Sequence, residues 1–174
     1  MSDLSGKKIA FLLTNGYKDS ELTSPWEAVT AAGAEAVLIA PEAGAVEGKK
    51  GHTQSVDLTT ADANAADYDA LVLPGGVVNA DHLRMDEKAV QLTKDLVGAG
   101  KPVGVICHGG WILTDAEAVS GKTMTSYSSL KTDLRNAGAT WVDEEVVVDQ
   151  GIISSRTPKD LPAFNEKIVA EFAR

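Results

Sequence analysis

Apolar residues fall into short, continuous runs separated by amphipathic stretches. Ile9-Ala10-Phe11-Leu12-Leu13, Ala36-Val37-Leu38-Ile39-Ala40, Ala70-Leu71-Val72-Leu73 and the run at 103–106 are the clearest. Runs of this length predict strands, and the absence of polar alternation predicts strands buried on both faces. Turn residues end three of them: Thr14-Asn15-Gly16, Pro41 and Pro74-Gly75-Gly76. Residues 21–32 and 87–99 carry helical spacing and stop at Gly33 and Gly100. Strands that alternate with helices predict an α/β fold, a mostly parallel sheet with helices on both faces. Smaller elements follow. Residues 52–58 are β-rich, 130–137 form a short helix before Gly138, and 161–174 form a closing helix. Val146-Val147-Val148 and Ile152-Ile153-Ser154 flank Asp149-Gln150-Gly151, a hairpin signal.

Ligands of an open parallel sheet bind beyond the carboxyl ends of its strands. One such end holds the only cysteine. Val103-Gly104-Val105-Ile106 runs into Cys107-His108-Gly109-Gly110, and Trp111-Ile112-Leu113 continues as a helix. This is the pattern of a nucleophile elbow, a sharp strand-to-helix turn that presents a reactive side chain. Free backbone N–H groups at the helix start predict a thiolate, with the thiol pKa below that of free cysteine. The residues alone also allow a small buried hydrophobe. The histidines are His52, His82 and His108. None follows His108, which excludes any arrangement that needs a histidine late in the chain. The base is therefore His108 or a group from across an interface.

Glu21, at the start of the first helix, has two readings. It is an acid stabilised by the helix dipole, or a protonated carboxyl that donates to the cysteine sulfur. Gly75 and Gly76 are either turn residues or, with His108, amide donors of an oxyanion hole. Asp81 and His82 read as surface residues. The acids between 57 and 69 lack ligand spacing and histidine partners, so no metal site is expected.

Composition narrows the function. With 174 residues the chain suits one domain spanning 1–174. A net charge of −9 argues against nucleic acid, which needs a basic surface. A single cysteine forms no internal disulfide and suits the cytoplasm. Residues 1–8 are polar, and no apolar run reaches membrane-spanning length.

Further motifs extend along the chain. They are Gly16-Tyr17-x-Asp19-x-Glu21, Leu71-Val72-Leu73-Pro74-Gly75-Gly76, Ile106-Cys107-His108-Gly109, Thr125-Ser126-Tyr127 and Ser154-Ser155-Arg156-x-Pro158-x-Asp160-Leu161. From residue 7 to 173 the chain resembles the PfpI-type intracellular proteases and their relatives, the Parkinson-disease protein deglycases. These belong to the class I glutamine amidotransferase-like superfamily. The resemblance implies a flavodoxin-like three-layer sandwich with a strained nucleophile at Cys107 and His108 adjacent to it. Glu21 matches the glutamate that bonds this cysteine. Asp81 falls near the acid that reaches the histidine from a neighbouring subunit, which implies a homodimer or larger homo-oligomer. Tyr127 matches a tyrosine at the site mouth.

The implied activity is hydrolysis of reactive carbonyls, of the glyoxalase III or protein deglycase type, without a cofactor. The implied partners are small carbonyl compounds or glycated proteins and peptides. An intracellular peptidase and a non-enzymatic redox-sensing or chaperone-like stress protein are the alternatives. Two residues depart from the family pattern. Gly110 stands where proline is usual, and Lys18 stands where an acid is usual.

Overall fold

The computed structural model describes residues 2–174. The chain runs β1 (Lys8–Leu12), α1 (Asp19–Ala31), β2 (Glu35–Ala40), β3 (Ala45–Glu47), β4 (Thr53–Ser55), β5 (Leu58–Thr59), β6 (Ala70–Leu73) and α2 (Val77–Leu83). It continues with α3 (Glu87–Gly98), β7 (Val103–Ile106), α4 (Gly110–Asp115), β8 (Thr123–Met124), α5 (Lys131–Asn136), β9 (Thr140–Trp141), β10 (Val147–Asp149), β11 (Ile152–Ser155) and α6 (Leu161–Phe172). The main sheet has the order β10-β11-β7-β6-β1-β2-β5. Every pairing in it is parallel except β10 with β11, the hairpin expected around Gln150-Gly151.

Side chains alternate across the sheet, so each apolar strand feeds two cores. Ala10, Leu12, Leu71, Leu73, Val103 and Val105 face Leu92, Leu96, Ile112 and Leu113 of α3 and α4. Ile9, Phe11, Val72, Ile106 and Ile153 face Leu22, Val29, Phe164, Ile168 and Phe172 of α1 and α6. Burial on both faces is why these strands are continuous apolar runs. The result is the flavodoxin-like sandwich implied by the sequence. No helix among the described residues is long and apolar enough to cross a membrane.

Sequence reading missed α2, β3, β8 and β9. Residues 52–58 split into β4, which pairs with β3, and β5, which closes one sheet edge. The active crevice follows from strand order. β1 continues to β2 on one side, while β6 returns on the other, and the turns after β1, β6, β7 and β11 gather at one end.

Gly104 in β7 records how closely α6 packs. A Cβ there would lie 2.8 Å from Ile168 Cγ2 and 3.1 Å from Phe164 Cζ. Overpacking of this kind costs about 1–3 kcal/mol. Gly104→Val is expected to lower the urea midpoint accordingly at unchanged m-value, and an unaltered midpoint would refute the tight contact.

Candidate active site

Cys107 directly follows β7 in a left-handed conformation, with φ 61°. A non-glycine residue in that region carries backbone strain, a feature that clusters at functional sites. A short turn over Cys107–Gly109 leads into α4, so the elbow expected from the sequence is present. Cys107 and His108 are nearly buried, at 9% and 7% exposure, in the floor of a cleft of about 490 Å³. Gly16, Lys18 and Glu21 form one wall, with Gly76, Val77 and Val78 beside them. Tyr127, Thr157 and Pro158 complete the lining, and Lys49 stands at the edge.

Glu21 lies on the first turn of α1 and is fully buried. Its Oε1 accepts the Gly75 N–H at 2.9 Å, and the Cys107 thiol lies close enough to act on the carboxyl. Oε2 has no hydrogen-bond partner. Burial therefore pushes the Glu21 carboxyl up to about 7, against the opposing pull of the Gly75 amide and the Lys18 charge.

Gly75 has no room for a side chain. A Cβ would collide with Glu21 Oε1 and come within 2.7 Å of Cys107 Cβ. Its N–H is spent on Glu21, so it holds the acid and is not a free oxyanion donor. The amides directed at sulfur are those of Gly76 and His108. Gly76 adopts φ 96°, which favours glycine, and this turns the chain into α2.

The expected depression of the thiol pKa is reversed. Burial pushes Cys107 up to about 12, and the Glu21 charge adds to it, while the Gly76 and His108 N–H groups oppose it. Desolvation at this buried turn outweighs the pull of the helix start. Two buried acids in contact cannot both ionise cheaply, and one proton is retained between them.

The His108 ring bridges two groups. Nδ1 lies 3.2 Å from Cys107 Sγ, and Nε2 lies 3.3 Å from Ser129 Oγ. Tyr127 stacks on the ring at 4.7 Å, and Trp111 meets it edge-on at 5.3 Å. Burial lowers the imidazole pKa, with help from the Lys49 charge, so the ring is neutral at pH 7. Tyr127 is 39% exposed and lines the cleft. Asp81 is exposed on α2 and does not line the cleft within the chain.

Three contributors were missed. Ser129 meets the ring across 21 residues of sequence. Lys49 arrives on the loop between β3 and β4. Buried Asn79 donates to the carbonyls of Pro74 and Gly75 and accepts the Thr14 N–H at 2.7 Å, tying two site loops together. An apolar-flanked asparagine three residues after Gly76 was the available signal. No cluster of three or more metal-ligating side chains occurs among the described residues.

An open-sheet α/β protein with a strained cysteine, a buried glutamate and an adjacent histidine defines a class of cysteine-centred proteins. The chain belongs to the DJ-1/PfpI family, whose model matches residues 7–171. It is 46% identical to General stress protein 18 of Bacillus subtilis, over 95% of this chain and 97% of the relative. It is 44% identical to Protein/nucleic acid deglycase 2 of Escherichia coli, over 92% and 95%. Among solved structures, a two-domain protein of Anabaena variabilis with DJ-1/ThiJ/PfpI-like and ferritin-like domains superposes with TM-score 0.92 at 34% identity. That match covers 94% of this chain and 47% of the other.

The Glu21 shift has a stability consequence. Between the ordinary value of 4.5 and about 7, the folded chain keeps a proton that the unfolded chain has lost. Stability therefore falls as pH rises through that window, by at most about 3 kcal/mol. Urea titrations from pH 4 to 8 are expected to show this slope in the wild type and its loss in Glu21→Gln. Parallel pH profiles would refute the shifted carboxyl.

Proposed function

We propose that this chain is a cysteine-dependent enzyme acting on reactive carbonyls, of the glyoxalase III or deglycase type, in stress protection. The observation that carries this reading is Cys107, held at φ 61° at the cleft floor with His108 Nδ1 3.2 Å from its sulfur. The E. coli relative is named a protein/nucleic acid deglycase, and the B. subtilis relative a general stress protein.

Neutral His108 takes the thiol proton as Sγ adds to the aldehyde carbon and forms a hemithioacetal. The Gly76 and His108 N–H groups hold the developing oxyanion. Protonated Glu21 spares the site a second negative charge. With methylglyoxal, a proton moves from the aldehyde carbon to its ketone neighbour through an enediol. The product is a thioester of lactate, which water hydrolyses to lactate and free thiol. With an early hemiaminal or hemithioacetal adduct, Sγ bonds to the carbinol carbon as its bond to the amine or thiol breaks, and His108 passes the Cys107 proton to the departing amine or thiol. None of these steps needs a cofactor. The lone cysteine supports a reducing compartment, the cytoplasm, as the setting.

A peptidase would form an acyl-enzyme at the same sulfur. That reading is weaker because His108 Nε2 faces a serine hydroxyl and has no orienting carboxylate within the chain. The acidic residue belongs instead to a second copy. Asp81, on the α2 that also exposes Val77 and Val78, is proposed to reach His108 across a homodimer or larger homo-oligomer.

Purified protein is expected to convert methylglyoxal to lactate faster than it cleaves any fluorogenic peptide. Cys107→Ser should lose this turnover by several orders of magnitude at an unchanged circular dichroism spectrum. Full activity in the variant would remove the cysteine mechanism. Asp81→Asn should lower kcat by roughly tenfold or more with little change in KM, as expected for a group that orients a catalytic histidine. A monomer in light scattering, or an unimpaired variant, would rule out the shared site.

A further inference from the structure

The cleft carries a charge pattern that the proposed chemistry does not use. Its charged lining residues are Lys18, Lys49 and Glu21. Glu21 is fully buried at the floor, whereas Lys18 is half-buried and Lys49 is exposed at the edge. Neither lysine forms an ion pair among the described residues. Both lie close enough to act on the reacting groups: Lys18 on the Glu21 carboxyl and Lys49 on the His108 ring. In a chain of net charge −9, two lysines without ion-pair partners lining the cleft over a nucleophile are a local reversal of sign.

The segment that bears Lys49 is also held in place. The Asp19 carboxylate accepts the Lys50 N–H and the His52 N–H, each at 2.8 Å. The Lys49 N–H donates to the Tyr17 carbonyl at 2.9 Å, and the Tyr17 hydroxyl donates to the His52 carbonyl at 2.8 Å. Lys18 immediately precedes α1 and donates its own N–H to the Gly75 carbonyl at 3.2 Å. One cation thus comes from the entry to α1 and the other from a clamped loop, and both backbones are fixed relative to Cys107. The Asp19 carboxylate stays charged but is directed at these amides and does not line the cleft. A cleft of about 490 Å³ also holds far more than a three-carbon dicarbonyl.

We propose that the substrate is an anionic carbonyl compound, with a carboxylate or phosphate several atoms from the reacting aldehyde, and that Lys18 and Lys49 receive this anion while Cys107 takes the aldehyde. The proposal rests on the carbonyl-directed reading of Cys107 and names its substrate class. The cations add attraction at the rim without touching the reacting atoms. They therefore act on binding and encounter, and their effect is screened by salt.

Two matched pairs of aldehydes test this. One is phenylglyoxal against 4-carboxyphenylglyoxal, and the other is hydroxypyruvaldehyde against its phosphate ester, so that every probe is the α-ketoaldehyde the enediol route requires. Wild-type protein is expected to favour the charged member of at least one pair by roughly tenfold in kcat/KM, mainly through KM. The pair that shows the preference tells carboxylate from phosphate. Because Lys18 also acts on Glu21, the readout is the ratio within each pair and not the absolute rate. In Lys18→Gln/Lys49→Gln that ratio should fall to near one, and 0.5 M salt should reduce it in the wild type. Equal kcat/KM within both pairs, or an undiminished ratio in the double variant, would overturn the proposal.

A second measurement needs no turnover. The rate of Cys107 alkylation by iodoacetate relative to iodoacetamide should be higher in the wild type than in the double variant. If neither aldehyde pair is turned over but this difference holds, the carbonyl chemistry fails and the cationic rim stands as an anion-selecting gate. If the alkylation ratios are equal in the two proteins, the anion subsite fails whatever the enzyme does.

Discussion

The Glu21 carboxyl organises the site because it is buried and has too few partners to be ionised without cost. It enters from α1, accepts one amide from the turn after β6, and touches the sulfur at the end of β7. A carboxylate at zero exposure with one oxygen unpartnered is penalised by desolvation, so the group keeps its proton to about pH 7. That proton is useful only because the neighbouring acid is a thiol. Below about pH 7 both groups keep their protons; above it the carboxyl gives up its proton first while the thiol holds its own, although the amides of Gly76 and His108 point to the sulfur. The absence of a side chain at Gly75 is the steric price of bringing the two acids together.

The elbow depends on the same packing. A cysteine in the left-handed region costs of order 1–3 kcal/mol and persists only where the surroundings over-determine it. Here β7 is held between β6 and β11, and α4 leaves at once on the α3 side of the sheet. Asn79 then locks the turn after β6 to the turn after β1 through three hydrogen bonds. The strain at Cys107 is thus supported by strands on either side and by a loop network that never touches substrate. The rigidity that keeps Sγ in place also keeps it dry, which is the physical reason its thiol is raised.

Strand and elbow positions were legible because both rest on local signals: uninterrupted apolar runs, and a strand that meets Cys-His-Gly-Gly. β6, β7 and the β10–β11 hairpin appear where the pattern puts them. The seven-residue α2 was not legible, because its Val77 and Val78 are exposed and so give no core-facing stripe. Ser129 and Lys49 were invisible for a different reason. Their partners lie 21 or more residues away, and only the sheet topology brings them together. The thiol pKa was misread because a sequence shows a helix start but not how much water the fold removes from it.

Burial also decides how the histidine works. A ring pressed between Tyr127 and Trp111 loses hydration, and its charged form loses most. A neutral imidazole cannot stabilise a resting thiolate by ion pairing, so the thiol and imidazole do not form the ion pair of a cysteine protease. The ring can instead accept a proton at the moment sulfur attacks, and return it to the oxygen that develops beside it. Proton transfer is then coupled to bond formation, and the driving force is carried by the amides around the adduct. This favours a small, electrophilic carbonyl over an amide bond, because an aldehyde needs no protonated leaving group. The burial that raises the cysteine, raises Glu21 and discharges His108 is therefore one constraint with three consequences.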